Sequence, residues 1–393
     1  MKTFTLAIAA ASLALSSALA MADDKPTDPQ IAWHLARSGA RVTLIERWEI
    51  GAGASGASAG GVRQQGRDFR EFPLAFRALD RWKTLEEELG SDVDYRRGGH
   101  ATTAEREDDL PILQASVRAQ QIAGLEIDVV QGDELRDLIP GIAPTVLAAA
   151  YSPNDGHANP TFTTQAFARA AEREGALIRT GEEVTSLVLE NGRIAGVVTD
   201  QGAYAGDVVV LAAGAWSNAL AAAIGVDLHC SPDGYQAITT FPVEPHLVQV
   251  LGSMNRMISL KQLPDGRYLL GGGWPGEFSL SFPRGKTLEA NIVGNQEAAI
   301  GLIPDVARAV IDQAWIGIDN HGHDEVPVLG RVDGVDGLIV ATGFSGHGFA
   351  LSPAVGEAIA GLILTGESPI DISQLGLDRF SGGTDASDHH HAG

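Results

Sequence analysis

The chain predicts an α/β protein in which helices pack against buried parallel strands. Three observations carry this. Residues 207–212 (DVVVLA) and 337–341 (GLIVA) are continuous apolar runs, the pattern of strands covered on both faces. Each is followed by small residues and then a helical stretch. Glycine is abundant (47 residues) and aromatics are sparse (6%), a composition that suits close packing of helix on sheet. At 393 residues the chain is long enough for two or three structural units.

Residues 1–22 carry a three-part export pattern. Lys2 supplies the charge, residues 4–15 the apolar stretch, and Ala18-Leu19-Ala20 the small-residue cleavage site. The expectation is a signal peptide and an exported or periplasmic protein; without a functional signal the chain is cytoplasmic. The apolar run is too short for a membrane span. Thr27-Asp28-Pro29 opens the first helix: Asp28 caps free N–H groups, and Pro29 at the first helical position sacrifices no hydrogen bond. Ile31, Trp33, Leu35 and Ala36 continue it, and Gly39 ends it. A short strand follows at 41–46 (RVTLIE), then a glycine- and serine-rich loop at 51–61 (GAGASGASAGG). Helical patterns recur at 74–89, 108–123 and 162–175, with strands at 177–178, 184–190 and 194–199. DVVVLA leads into a helix at 218–224. Residues 236–315 read mostly as strands (YQAITTFPV, MISLKQL, GRYLLGGG, EFSLSF), interrupted by a helix at 288–302. GLIVA is followed by a loop and an apolar helix from about residue 352 to residue 364. Residues 381–393 form a polar tail expected to be disordered, its His389 to His391 read as solvated rather than metal-binding.

The formal net charge of −22 disfavours nucleic acid, whose affinity comes mostly from Lys and Arg on phosphates. Cys230 is the only cysteine, so no internal disulfide or cysteine-rich metal site forms. It reads as a small, partly buried side chain rather than a nucleophile.

Three units carry candidate chemistry. Glu46 ends a strand as the acidic residue of a dinucleotide fold does when it accepts hydrogen bonds from a ribose; an ordinary surface acid looks the same. DVVVLA runs into Ala213-Gly214-Ala215-Trp216, where small residues admit either a ligand or a tightly packed helix. The richest unit is GLIVATGFSGHGFALSPAVGEAIAGLIL. Its strand delivers Gly343, Gly346 and Gly348 to a helix N-terminus, where backbone N–H groups and the helix dipole suit an anion. His347 sits inside that loop.

Six segments resemble, in order, the D-amino-acid oxidase superfamily of flavoproteins, within it the glycine oxidase, sarcosine oxidase β-subunit and D-amino-acid dehydrogenase group. They are IAWHLARSGARVTLIER, GASGASAGGVRQQ, SPNDGHANPTFTTQAFARAAEREGA, VVVLAAGAWSNALAAAIGV, LPDGRYLLGGG and PVLGRVDGVDGLIVATGFSGHGFALSPAVGEAIAGLI, covering about residues 30–380. The resemblance implies a three-layer ββα Rossmann-like FAD domain (27–62, 146–235, 316–380) with an inserted mixed-sheet substrate domain (63–145, 236–315). It implies FAD and oxidation of the C–N bond of a small amine or amino acid, with oxygen or another electron acceptor, and a partner subunit in some arrangements. Carried over by motif, Glu46 and Arg47 lie at the adenosine end. Ser55, Ser58, Gly60 and Gly61 run along the pyrophosphate, ribityl chain and flavin. Val184 touches adenine through its backbone, and Ala213, Gly214 and Trp216 line the middle of the cofactor. Gly343 enters the turn in which Gly346, His347, Gly348, Phe349 and Ala350 meet the flavin pyrimidine and substrate. Arg63 and Gln64 reach towards flavin and substrate.

The pattern breaks at its start. Family members open with a strand and a GxGxxG loop; here DDKPTDPQ precedes the helix, and the first central strand and its loop are not recognisable. Losing two or three charge-assisted hydrogen bonds to the pyrophosphate costs roughly 3–9 kcal/mol, enough to make FAD binding weak. A strand slot filled by the TLAIAAASLAL run is disfavoured by its alanine content. The alternative expectation is therefore a cofactor-poor remnant or a partner-dependent subunit. Some members also place an arginine for the substrate carboxylate after W-x-G-x. Here Trp315-Ile316-Gly317-Ile318 is followed by Asp319, which leaves Arg63 or Arg267 as the cation. No lysine occurs between Arg267 and Pro283 to activate oxygen, so oxidase and dehydrogenase both stay open.

Overall fold

The computed structural model describes residues 29–381. The expected signal segment, the Asp28 cap and the histidine tail lie outside them. The first helix spans Pro29–Arg37 and stops at Gly39, whose φ of +81° is the left-handed conformation that glycine adopts without strain. The chain then enters strand Thr43–Ile45, which pairs in parallel with Leu177–Arg179. Strands Val209–Leu211 and Leu338–Thr342 also pair in parallel, and Val328–Arg331 closes that sheet antiparallel.

The layering follows from strand alternation. Leu44, Val210, Ile339 and Ala341 pack with helices Pro29–Arg37, Pro160–Arg173 and Gly348–Leu364. Their neighbours Ile45, Val209, Leu211 and Val340 point the other way, onto the antiparallel strands Val184–Glu190, Arg193–Thr199 and Ala203–Ala205. Both faces are covered, which is why DVVVLA and GLIVA are apolar throughout. This is the ββα layering that the sequence implied. Among the described residues, the sheets holding Thr43–Ile45 and Val209–Leu211 share no hydrogen-bonded strand.

The second unit is an eight-stranded mixed sheet in the order Ile311–Gly322, Cys230–Thr240, Tyr268–Gly271, Ser259–Gln262, Val250–Ser253, His100–Ala104, Ala148–Ser152, Asp128–Gln131. One face carries Ile238, Leu251, Leu260 and Leu270 against helix Glu289–Leu302. Residues of opposite parity, Ala237, Ser259 and Gly271, form part of a cavity wall. Three expectations are revised. Residues 277–282 (EFSLSF) form no strand: they lie in a strap whose backbone pairing is the isolated Glu277–Lys286 bridge. The helical stretch at 74–89 is two helices, Phe72–Trp82 and Leu85–Leu89, broken at Lys83-Thr84. The final helix begins at Gly348 and accommodates Pro353, with Ser352 Oγ donating to the Phe349 carbonyl that proline leaves without its N–H.

Candidate active site

A cavity of about 1030 Å³ lies between the layered unit and the large sheet. That is at the top of the range of about 300–1000 Å³ for small-molecule sites, room for a cofactor and a substrate together. The end of the RVTLIE strand, the serine-rich loop and the turn around His347 all open onto it. Of the residues singled out in the sequence, Glu46, Ser55, Ser58, Gly61, Arg63, Ala213, Gly214, Trp216, Gly346, His347, Gly348 and Phe349 line it.

The others stand behind the wall. Arg47 pairs with Glu183 at 3.1 Å and lies over the Trp48 ring. Gly60 holds φ +73°, and a Cβ there would meet the Ala158 carbonyl oxygen at 2.3 Å, so the turn requires glycine. Gln64 is buried, its N–H donating to Asp155 Oδ1 at 2.9 Å. Val184 packs in the core as the first residue of the antiparallel strand Val184–Glu190. Gly343 turns against Cys230, whose Sγ lies 2.7 Å from where a Cβ would be. The Ala350 carbonyl accepts the Trp82 indole N–H at 2.8 Å. Cys230 itself donates to the Leu228 carbonyl, and burial pushes its thiol up to about 12, which removes it as a nucleophile at neutral pH.

Each wall has a local cause. Glu46 is almost fully buried, its N–H donating to the Arg179 carbonyl and its Oε1 accepting the Trp48 N–H at 2.9 Å. The serine-rich loop closes into a short helix, Ala54–Ala57, gripped from the other unit. Trp315 donates to the Ala57 carbonyl, and the Arg284 guanidinium donates to the carbonyls of Gly51, Ala52 and Gly53. Helix Pro29–Arg37 presents its first turn to the cavity through Gln30.

The segment after the short strand Gly61–Val62 carries the charge. Arg63 lines the cavity, and burial lowers its guanidinium to about 10, so it stays protonated at neutral pH. Its Nη1 donates to the Gln65 carbonyl, and no carboxylate lies within ion-pair distance of it among the described residues. Arg67 donates from Nε to the Arg63 carbonyl and from Nη1 to Glu71 at 3.0 Å. Asp155 holds this turn from below, its two oxygens accepting the N–H groups of Gln64 and Gln65. Gln65 then reaches His100, Thr102 and the Ala150 carbonyl on the large sheet. Arg267, the other cation considered, is tied to Asp265 and does not line the cavity.

The amides of the His347 turn are largely consumed within the protein. Ser345 donates to the Asn320 carbonyl, Gly346 to Asp319 Oδ2 at 2.5 Å, and His347 to the Phe344 carbonyl. The N–H groups left without an intrahelical acceptor are the first ones of helix Gly348–Leu364. Asp319, which follows Trp315-Ile316-Gly317-Ile318, therefore acts as a clamp on the turn.

The chain matches, over residues 30–362, the family described as DAO, FAD dependent oxidoreductase. It belongs to that family. It is 28% identical to mouse mitochondrial dimethylglycine dehydrogenase over 376 residues, covering 89% of this chain but only 42% of that protein's length. It is 29% identical to glycine oxidase of Geobacillus kaustophilus over 365 residues, 90% of this chain and 94% of that one. Among solved structures, L-proline dehydrogenase from P. horikoshii superimposes with a TM-score of 0.86 at 26% identity, covering 97% of this chain and 98% of that one.

Members of the family are flavin oxidoreductases that use FAD and act on amino acids or amines. The residues present fit FAD along most of its length. A buried carboxylate, Glu46, stands at a strand end, a floor of small residues runs from Gly53 to Gly61, and a helix N-terminus faces the cavity at Gly348. The glycine-rich loop of the sequence pattern is missing, and the positive end of helix Pro29–Arg37 is what the described residues offer in its place.

Sequence reasoning missed Glu71, Arg67, Asp155 and the glycine wall Gly271-Gly272-Gly273. Arg67 and Glu71 stand four apart in a segment whose remaining charges, Asp68 and Arg70, stay partly exposed. Asp155 lay within a recognised segment, SPNDGH, whose polar neighbours give no sign of its burial. The i,i+4 spacing of Arg67 and Glu71 was a readable sign of an ion pair, whereas the long-range partners of Glu71 and Asp155 left no local signal.

Proposed function

We propose that the chain oxidises the C–N bond of a small amino acid or N-alkyl amino acid whose carboxylate binds Arg63. The observation that carries this is a half-buried guanidinium that lines the cavity and forms no ion pair among the described residues, on the segment whose next arginine leads through Glu71 to His347. When bound, FAD supplies the hydride acceptor, and the resulting imine hydrolyses to a carbonyl compound and an amine. The protein's work is placement. Arg63 fixes the carboxylate, His347 contacts the amine end, and the Gly271-Gly272-Gly273 wall lets the substrate lie close to the large sheet. Oxygen or a separate electron acceptor takes the electrons onward. In this reading the layered unit holds the cofactor and the large sheet carries the substrate wall. The relatives named for glycine, dimethylglycine and L-proline all take substrates with a carboxylate beside the nitrogen, which supports the same choice.

The decisive test is direct. Purified protein is titrated with FAD and scanned near 450 nm, then mixed anaerobically with glycine, sarcosine, dimethylglycine, D-alanine and proline. Bleaching by one of these supports the reading. Arg63→Met should then raise the substrate KM by about 10–150-fold, the equivalent of about 1.5–3 kcal/mol for a lost charged hydrogen bond, with FAD affinity unchanged. A KM equal to wild type rules Arg63 out as the anchor. A second reading, a cofactor-poor or partner-dependent member, is favoured by the missing glycine-rich loop; no flavin absorbance retained by the protein after FAD addition and removal of unbound FAD would establish it. Export remains a proposal on residues 1–22, which N-terminal sequencing of the mature protein checks.

A further inference from the structure

We propose that Glu71 is a positioning residue that holds His347 with its proton on Nδ1, so that Nε2 accepts a proton from the substrate's ammonium group. The inference rests on the reading above and adds a proton path to it. Glu71 has no solvent exposure and precedes helix Phe72–Trp82, whose positive end favours a carboxylate. Both its oxygens lie at hydrogen-bond distance from His347 Nδ1, Oε1 at 2.9 Å and Oε2 at 3.1 Å. Arg67 Nη1 holds Oε2 at 3.0 Å, so the carboxylate cannot swing away. A carboxylate can only accept, so Nδ1 must be the protonated nitrogen. Nε2, on the far side of the ring, is then a lone pair, and His347 lines the cavity.

The electrostatics agree with this geometry. Burial and the nearby Arg67 and Arg63 lower the His347 pKa, while Glu71 pulls it back up. The ring is therefore neutral when substrate arrives. Burial opposes ionisation of Glu71, but His347 and Arg67 outweigh it and keep the carboxyl below the usual range. In the step itself an ammonium N–H bond breaks and an Nε2–H bond forms. The substrate nitrogen recovers its lone pair, the form from which a hydride can leave the adjacent carbon. The imidazolium is stabilised by Glu71 until its proton is released to water.

Two measurements test this. Long-range 1H–15N spectra of histidine-labelled wild-type protein, with His347 assigned by its loss in His347→Gln, should show the Nδ1–H tautomer; an Nε2–H tautomer overturns the proposal. This readout needs neither turnover nor FAD, so it fails independently of the functional reading. Anaerobic flavin reduction across pH should fall at least tenfold in Glu71→Gln, with its acid limb moved to lower pH, and Glu71→Asp should recover part of the rate. In the His347→Gln background, Glu71→Gln should add less than twofold. Reduction within twofold of wild type with an unmoved acid limb, or fully multiplicative effects of the two substitutions, overturns it.

Discussion

Asp155 is the residue on which the Arg63 turn rests. Burial, opposed by the N–H groups of Gln64 and Gln65 and by Arg63, lifts its carboxyl to about 6. In the unfolded chain the value is about 3.9. Between the two the folded state binds more protons than the unfolded state, so the stability tied to this residue falls as pH rises through that window and is level above it. Asp155→Asn removes the titration. The stability of wild type relative to the variant should drop by about 2–3 kcal/mol between pH 4 and pH 7, measured by urea unfolding. An equal difference at both pH values would mean the carboxyl titrates normally. At the same scale, Glu46 and His347 were named from sequence because they stand at a strand end and in a glycine-marked turn, and Arg63 through the family resemblance of its segment. Glu71 was not, because its meaning lies in a contact made 276 positions along the chain.

Elements were legible where one periodicity dominated. The helix expected at 162–175 spans Pro160–Arg173, two residues earlier, because Asn159 caps it and accepts the Phe162 N–H at 3.1 Å. Asn159→Ala should cost about 1 kcal/mol of stability, read from a chemical denaturation midpoint. No change would mean that packing against helix Pro29–Arg37 holds the end without its cap. Strands His100–Ala104 (HATTA) and Ala148–Ser152 (AAAYS) were invisible, because their small residues carry neither alternation nor β-branching. Their place in the large sheet comes from pairing with each other and with Val250–Ser253. The opposite error arose at 277–282, where alternating apolar residues looked like a strand. Those side chains serve a strap instead: Phe278 packs over Gly234, and the Leu280 carbonyl accepts the Trp216 indole N–H.

At the scale of the whole molecule, FAD bound in the cavity would join the two units, since the cavity walls come from both. Binding to the folded state alone should stabilise it by about 2.7 kcal/mol when free FAD is a hundredfold above its Kd. A thermal unfolding midpoint that climbs with FAD concentration is the expected result. A midpoint indifferent to FAD would favour the cofactor-poor reading and place the missing loop at its cause. Family, layering and the loops bordering the cavity were written into local pattern: buried apolar strands, glycines where the chain must turn, a helix start behind His347. The Arg67–Glu71–His347 contact, the support of Arg63 by Asp155 and the clamp from Asp319 were not. They join groups distant along the chain, and a carboxylate has the same local sequence whether it meets water, an arginine or an imidazole. Folding chose among these by excluding the water.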